Sequence, residues 1–278
     1  MKFDWNTVEM TTSQQKIAEY VERNLQTVLL STEQELADTL SLSIASISRF
    51  WRSTGFKNMK DFKKKTTQEM TPTPAKKIET ILSQSSEAEG LSKNFHTVMN
   101  HLEFTAKQFS EETLNEAAQL VSQSNKVYIY AQGSSVGLQD LLYFRLARYG
   151  LSLHKMVHSG SELLEDMIHL KKEDVVILLA FGRKVLPEEA VIFSEAKKVG
   201  YKVIAVTDQL VSSISDQADI TLFGSRGEPW EFHSMVAPTL MIEMLIIAIS
   251  SYEKETNLNQ LDKLHELRKQ YKDILPRS

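Results

Sequence analysis

The chain has 278 residues, of which 42% are hydrophobic and 24% charged, a composition that argues against a disordered, collagen-like or membrane-embedded protein. Its length predicts two folding units with separate cores. It contains no cysteine, which excludes disulfides, thiolate nucleophiles and cysteine-ligated metal sites. The N-terminal residues lack the uninterrupted apolar core of a secretory signal, so we expect a cytoplasmic protein.

The most apolar stretch predicts a helix inside the protein. Residues 235–250 are fewer than the roughly 20 that cross a bilayer, and they include Pro238 and Glu243. We therefore expect a buried or interfacial helix and no membrane contact.

Positive charge gathers near the N terminus. The net charge is −4 at pH 7, yet residues 1–77 hold 12 Lys and Arg against 9 Asp and Glu. Only Asp61 opposes the basic residues of the densest segment, which are Arg49, Arg52, Lys57, Lys60, Lys63, Lys64 and Lys65. Such a patch attracts polyanions by releasing condensed counterions, although a solvated helix face gives the same pattern.

Helix signals follow one another in this basic segment. Apolar residues at spacings of three and four predict one amphipathic helix over 13–30. Thr32 and Glu35 form the sequence signature of a capping box, which predicts the start of a second helix. Ser43 is placed to cap a third helix, and Gly55 to end it in a left-handed conformation. A further short helix is expected from Phe56 onward.

Two short helices joined by a tight turn predict a helix-turn-helix, in which the second helix lies in the DNA major groove. Small side chains on that helix allow close approach, hydroxyls bond phosphates, and arginines reach bases or phosphates. The candidate DNA-contacting residues are Ser43, Ala45, Ser46, Ser48, Arg49, Arg52 and Lys57. An αα-hairpin packed in an unrelated bundle is the alternative that the pattern leaves open.

Two boundaries are expected along the chain. The stiff segment Thr71-Pro72-Thr73-Pro74 cannot continue a helix, and it ends a first domain over 1–76. Residues 77–123 keep helical periodicity and predict a helical connector. A second domain then occupies 124–278.

The second domain is predicted to be α/β. Its short apolar runs are 127–131, 151–153, 175–180, 203–206 and 220–222, and helices over 135–149, 161–170 and 187–199 alternate with them. Strands buried on both faces have this appearance. The pattern predicts a five-stranded parallel sheet flanked by helices, with ligands at the carboxyl ends of the strands.

Candidate ligand-binding residues follow those strand ends. Gly133, Ser134 and Ser135 come after the first strand, at a predicted helix N-terminus that favours an anion. Gly182, Arg183 and Lys184 follow the third strand, and Thr207 ends the fourth. Glu228 follows the fifth strand and is placed to bind sugar hydroxyls or to act as a base. An ordinary capped turn and surface ion pairs are the alternatives.

We expect no metal, cofactor or catalytic triad. His154 and His158 are four positions apart in or beside a strand, a spacing that separates them by roughly 13 Å. The glycine spacing fits neither a dinucleotide fingerprint nor a P-loop. No nucleophile elbow is present in the sequence.

Two segments resemble a known family. Residues 35–37, 42–50 and 55–63 resemble the winged-helix-type DNA-binding domain of RpiR-type bacterial transcription regulators, and the second half resembles their sugar isomerase (SIS) domain, notably at Gly133-Ser134-Ser135 and at 203–208. The resemblance implies a dimerising SIS domain that senses a phosphorylated sugar, with operator DNA bound by the N-terminal domain. The family's hydroxyl-rich loop after the third strand is replaced by Ala180-Phe181-Gly182-Arg183-Lys184-Val185, and Ala131 stands at its usual first glycine.

The resulting hypothesis is a regulator of carbohydrate genes. Its partners are a double-stranded DNA operator, a small anionic sugar-derived effector and at least one further copy of the chain. One alternative is a phosphosugar isomerase with a DNA-binding appendage, in which Glu228 or His233 is the base. The other is a SIS domain that only dimerises the DNA reader.

Overall fold

The structure, a computed structural model, describes residues 5, 10–70, 73–83, 87–182, 184–228 and 231–275. It divides into two compact units, Met1–Lys77 and Ile78–Ser278. We describe each unit separately.

The first unit is helical, as predicted. Its helices are α1 (Thr12–Arg23), α2 (Leu25–Leu30), α3 (Glu33–Leu40), α4 (Ile44–Ser53) and α5 (Met59–Met70). Its core combines aliphatic residues with a group of aromatic rings, in which Trp51 stacks on Phe62 at a centroid distance of 4.4 Å. The same core buries Ile17, Leu36 and Ile47.

The predicted local signals of the helix-turn-helix are confirmed. The Glu35 amide donates to the Thr32 hydroxyl at 3.2 Å, and the Thr32 amide donates to the Glu35 carboxylate at 2.7 Å. Ser43 accepts from the amide of Ser46 at 3.2 Å and so caps α4. Gly55 has a φ of 87°. Each predicted cap therefore sets the end of a helix.

The single helix predicted over 13–30 is wrong, because Asn24 divides it into α1 and α2. The side-chain amide of Asn24 and its backbone N–H both donate to the carbonyl of Tyr20, at 3.1 and 2.9 Å. Asparagine competes in this way with helical hydrogen bonds. The apolar spacing continues across the break, so periodicity alone does not show it.

The predicted boundary segment lies partly outside the described residues, at Thr71 and Pro72. Pro74 is the first residue of α6 (Pro74–Ser83), where proline is favoured because its missing N–H would have no helical partner. The division between the two compact units falls within this helix, after Lys77.

The second unit contains the five-stranded, all-parallel sheet, in the order β2-β1-β3-β4-β5. Its elements, in chain order after α6, are α7 (Glu87–Gln108), α8 (Glu111–Gln123), β1 (Val127–Ala131), α9 (Val136–Leu146), β2 (Leu153–Met156), α10 (Leu163–Met167), β3 (Val175–Leu179), α11 (Pro187–Val199), β4 (Lys202–Thr207), β5 (Ile220–Phe223), α12 (Val236–Tyr252) and α13 (Lys254–Gln270). The fold class is as predicted.

Both faces of the sheet are covered. Alternate residues of the central strands point to opposite sides, so that Ile129 and Ile177 pack with α8, α9 and α12, whereas Tyr130 and Leu178 pack with α10 and α11. Burial on both faces explains why the central strands are continuous apolar runs.

Three predicted elements shift. The edge strand is Leu153–Met156 and not 151–153. The prediction searched for runs of apolar residues, and the polar His154 and Lys155 interrupt such a run. The helix predicted over 161–170 is a 3-10 turn at Gly160–Glu162 followed by the short α10. The helix predicted over 135–149 is α9 between two 3-10 turns.

The predicted connector, 77–123, packs into the second unit. Leu114, Ala117 and Val121 of α8 are buried in the same cluster as the sheet residues, together with Leu245 of α12. A helix that covers a sheet has the same periodicity as one that links domains, so sequence reasoning did not separate the two.

Among the described helices, none is by itself long and apolar enough to cross a membrane. Helices α12 and α13 reach the length and apolar composition of a membrane span only when they are taken together, and the pair is bent by 104°. Seven residues of α12 are buried in the protein, as its sequence predicts.

Candidate DNA-binding face and ligand site

Helix α4 has one buried side and one exposed side. Ile47, Phe50 and Trp51 are buried in the core of the first unit. The predicted DNA-contacting residues lie elsewhere on the helix surface: Ser43, Ala45, Arg49 and Arg52 are exposed, and Ser46 and Ser48 are half-buried. The buried side therefore holds the helix, and a basic side with short side chains remains accessible.

Two contacts order this surface. The Arg49 Nε donates to the carbonyl of Ala45 at 3.1 Å. This bond does not use the terminal nitrogens of the guanidinium. The hydroxyls of Ser43 and Ser46 are 2.9 Å apart. The first turn of α4, which is the part that meets base edges in helix-turn-helix proteins, thus carries small polar groups.

Lys57 lies off α4, on the turn before α5. Its side chain is exposed, and its amide donates to Asp61 at 3.0 Å. That bond, followed by the ion pair of Asp61 with Lys65 at 3.2 Å, holds the pKa of Asp61 below its usual value. The only acidic residue of the basic segment is therefore used to fix the turn.

Sequence reasoning missed Ile44. It is the first residue of α4 and is 44% exposed, whereas the other large apolar side chains of α4 are buried. The helical spacing of apolar residues predicts that an isoleucine at this position is buried, but position 44 lies outside the buried side of α4.

The first predicted ligand loop follows β1. Gly133 has a φ of 59°, which glycine adopts without strain. Ser134 is exposed. Ser135 is buried, and its hydroxyl lies 2.6 Å from the carbonyl of Gln132 and 3.3 Å from that of Leu179. Its amide also donates to Gln132, at 3.3 Å. The Ser135 hydroxyl thus ties the loop after β1 to β3.

The second predicted loop follows β3. The amide of Gly182 donates to the carboxylate of Asp208 at 3.1 Å, so this predicted donor is also occupied. Lys184 is exposed, and Arg183 lies outside the described residues. Thr207 is fully buried, and its hydroxyl accepts from the amide of Gln209 at 3.3 Å.

An ion pair that the sequence did not reveal lies at the same sheet edge. The Nε of Arg226 donates to Asp208 at 2.8 Å, and both side chains are almost fully buried. The guanidinium carbon of Arg226 lies 4.9 Å from the centre of the Phe181 ring. The loops after β3, β4 and β5 therefore meet at one arginine.

The loop after β5 is held by α7. Thr105 accepts from the buried amide of Ser225 at 3.0 Å, and His101 lies 3.1 Å from the carboxylate of Glu231. Gly227, with a φ of 92°, packs so closely that an added Cβ would lie 2.6 Å from both His101 and Glu231. Helix α7 thus fixes the backbone on either side of Arg226.

Glu228 and His233, the bases of the isomerase alternative, are exposed on this loop. The amide of Glu228 donates to Glu231 at 2.8 Å. Glu189 of α11 is, in contrast, a buried carboxylate, and burial raises its pKa. It accepts from the Leu186 amide at 2.8 Å and so closes the N-terminus of α11.

His154 and His158 are not kept apart, as their spacing predicted, but meet at Asp166. The two rings lie 2.8 and 3.0 Å from its two oxygens, because His158 lies beyond the end of β2, where the chain turns back. Burial raises the pKa of Asp166, but hydrogen bonds from both histidines outweigh it and hold the pKa below its usual value. Among the described residues, no group of three or more acidic or histidine side chains is placed to hold a metal ion.

A cavity of about 610 Å³ opens at the amino ends of the strands, opposite the predicted ligand loops. It is lined by residues that precede β1, β2 and β3, among them Lys126, Ser152 and Asp174. None of the predicted ligand residues lines it.

Comparisons with known proteins agree with this architecture. Residues 3–73 match the helix-turn-helix domain of the rpiR family, and residues 120–248 match the SIS domain. An uncharacterized HTH-type transcriptional regulator of Caldanaerobacter subterraneus is 25% identical over 263 residues, which is 92% of each chain. One of Bacillus subtilis is 20% identical over 259 residues, or 90% of each chain.

Two solved structures share the fold. The NanR protein of Vibrio vulnificus, complexed with ManNAc-6P, aligns with a TM-score of 0.59 at 20% identity, covering 98% of this chain and 97% of its own. The sugar isomerase domain of an RpiR transcription factor from Sphaerobacter thermophilus aligns with a TM-score of 0.57 at 22% identity, covering 62% and 96%.

A helix-turn-helix unit followed by a SIS unit defines a DNA-binding transcription regulator. The chain belongs to the RpiR family of such regulators.

Proposed function

We propose that this regulator controls carbohydrate genes and that a small anionic sugar derivative, bound at the carboxyl ends of the parallel strands, changes its affinity for operator DNA. The observation that carries the proposal is the exposed basic side of α4 in the same chain as an α/β unit whose loops converge at the strand ends. In open parallel sheets this edge is where ligands bind.

The DNA-contacting surface is assigned to Ser43, Ala45, Ser46, Ser48, Arg49, Arg52 and Lys57. Full or partial exposure on α4, at its N-cap or on the turn that follows it supports each of them. Binding would be coupled reciprocally, since an effector that lowers DNA affinity must itself bind more weakly to the DNA complex.

The DNA assignment is tested by titrating double-stranded fragments selected from a random pool at several salt concentrations. Arg49→Ala and Arg52→Ala should each weaken binding, and each lost phosphate contact should reduce the slope of log K against log salt by about 1. Arg23→Ala is the matched control, because Arg23 is an exposed arginine on α1 that pairs with Glu19. Unchanged affinity and slope in both α4 variants would refute the assignment.

The regulator is proposed to lack isomerase activity. Its relatives are named as transcriptional regulators, and both bases of the enzymatic alternative are exposed. Aldose–ketose interconversion should be absent for a panel of sugar phosphates. Turnover that disappears in Glu228→Gln would establish the enzyme instead.

The active form is proposed to contain at least two copies, because helix-turn-helix proteins bind paired half-sites about one DNA turn apart. A solution mass of one chain, with operator bound by that single chain, would contradict this.

A further inference from the structure

We propose that Arg226 binds the acidic group, a carboxylate or a phosphate, of a ligand held at the carboxyl ends of β3 and β4. The inference rests on the proposed function, since it assigns a binding residue within the effector site. It places the anion on a residue that sequence reasoning did not select.

The position of Arg226 is the first argument. Its Nε bonds to Asp208, directly after β4, and its guanidinium lies over Phe181, two residues after the end of β3. The adjacent Gly182 donates to the other oxygen of Asp208. The guanidinium is therefore at the edge where a ligand of this fold is expected.

Arg226 is also held in a fixed orientation. Its carbonyl accepts from the amide of Ser234 at 3.2 Å, and the preceding Ser225 is bonded to Thr105. The Gly227 backbone behind it touches His101. A binding group with fixed backbone and side chain loses little conformational entropy when a ligand binds.

The guanidinium of Arg226 has N–H donors that Asp208 does not use. Arg226 is only 8% exposed, and within the described part of the chain its Nε is bonded to Asp208 while its terminal nitrogens still reach solvent. The planar pair of N–H groups matches the oxygens of a carboxylate or phosphate. A ligand oxyanion would satisfy them.

Two of the other predicted donors at the strand ends are already used. The Ser135 hydroxyl donates to backbone carbonyls, and the Gly182 amide donates to Asp208. The loop after β3 has no hydroxyl between Ala180 and Val185. Asp208 neutralises Arg226 without occupying its terminal nitrogens, so the arginine is stable in the fold and still able to bind.

The test measures ligand affinity of the full-length chain by titration calorimetry. The probes are glucose 6-phosphate, ManNAc-6P and glucuronate, with glucose and N-acetylmannosamine as their uncharged counterparts. We expect at least one acidic probe to bind and the uncharged sugars to fail. Phosphates and glucuronate together separate the two kinds of acidic group.

Two variants then examine Arg226. Arg226→Lys keeps the charge but loses the paired N–H groups, and it should weaken binding of the acidic probe by about 10- to 100-fold, the value of charged hydrogen bonds. The double variant Arg226→Met with Asp208→Leu removes both charges without leaving either unpaired, and it should bind none of the probes. Arg145→Lys, at an exposed arginine of α9, should bind like wild type.

The outcomes separate the two levels of the proposal. If wild type binds none of the acidic probes, the effector class under the proposed function fails, and the role of Arg226 fails with it. If wild type binds one and Arg226→Lys, or a folded double variant, binds it equally well, only the role of Arg226 is overturned.

Discussion

The two units use their arginines in opposite ways. Arg49 and Arg52 lie on the exposed surface of α4, whose opposite side is buried in the core of the first unit. Arg226 is almost fully buried, paired with Asp208 and packed on Phe181. A surface cation attracts a polyanion at long range and is screened by salt. A buried cation depends on its partner, and a single change around it has a larger effect.

The largest expected effect is that of removing this partner. Asp208→Asn leaves the Arg226 charge uncompensated in the protein interior, and the free energy of unfolding should fall by about 3–5 kcal/mol. Urea unfolding followed by circular dichroism measures it. Asp140→Asn is the control, because Asp140 forms an exposed ion pair with Lys155 at 2.7 Å, worth about 0–1 kcal/mol. Equal losses in the two variants would erase the contrast between buried and exposed charges.

The next effect concerns the backbone beside Arg226. Gly227→Ala combines a positive φ with a Cβ that would lie 2.6 Å from His101 and Glu231. Strain at such positions costs about 1–3 kcal/mol, and the close contact adds to it. Gly133→Ala, also at positive φ but with nothing within 4 Å, should cost less. The comparison uses thermal unfolding of both variants, and a larger loss at Gly133 would show that α7 does not restrain the loop.

A pH dependence extends the comparison to Asp166. Because its pKa is lowered in the fold, its contribution to stability is present above its unfolded pKa of about 3.9 and is lost as the pH falls through the folded value. Asp166→Asn should cost about 1–3 kcal/mol at pH 7, and the difference from wild type should shrink in acid. Unfolding at several pH values measures this, with Asp216→Asn as an exposed control. A difference that stays constant down to pH 2 would contradict the assignment.

The smallest effect is expected in the DNA-binding unit. We expect Ile44, which is exposed on α4, to contact a thymine methyl group in the major groove. Ile44→Ser should weaken binding to the selected DNA about fourfold, since one methylene-sized contact is worth about 0.8 kcal/mol. Deoxyuridine in place of thymidine should weaken wild type similarly but not the variant. The salt dependence should stay constant, in contrast to the arginine variants. Equal sensitivity of both proteins to deoxyuridine would remove Ile44 from the interface.

Features written in neighbouring residues were predictable. The caps at Thr32 and Ser43, the turn at Gly55 and the buried runs of the central strands depend on residues close in the sequence, and the structure confirms them. Asn24 was missed because its effect depends on a hydrogen bond to Tyr20 and not on apolar spacing. The edge strand was misplaced because one polar-looking strand carries little apolar signal.

The ligand site was only partly predictable. The position of the strand ends follows from the order of strands and helices, and the structure brings the loops after β3, β4 and β5 together there. The contacts that hold these loops were not predicted, because His101 and Glu231 are 130 positions apart and Thr105 and Ser225 are 120 apart. A single sequence carries no sign of which distant polar residues pair. The contact of the Ser135 hydroxyl with the carbonyl of Leu179, 44 positions away, was missed for the same reason.

The clamp formed by α7 also decides where this protein can be cut. The match to the SIS domain begins at residue 120, but a fragment starting there would lack Thr105 and His101 and would expose the amide of Ser225 and the carboxylate of Glu231. A truncated sensor for crystallisation, or a chimera that gives it a new DNA reader, should therefore keep the chain from Glu87 onward. A fragment that begins at residue 120 would lack the contacts with α7 that hold the loop after β5.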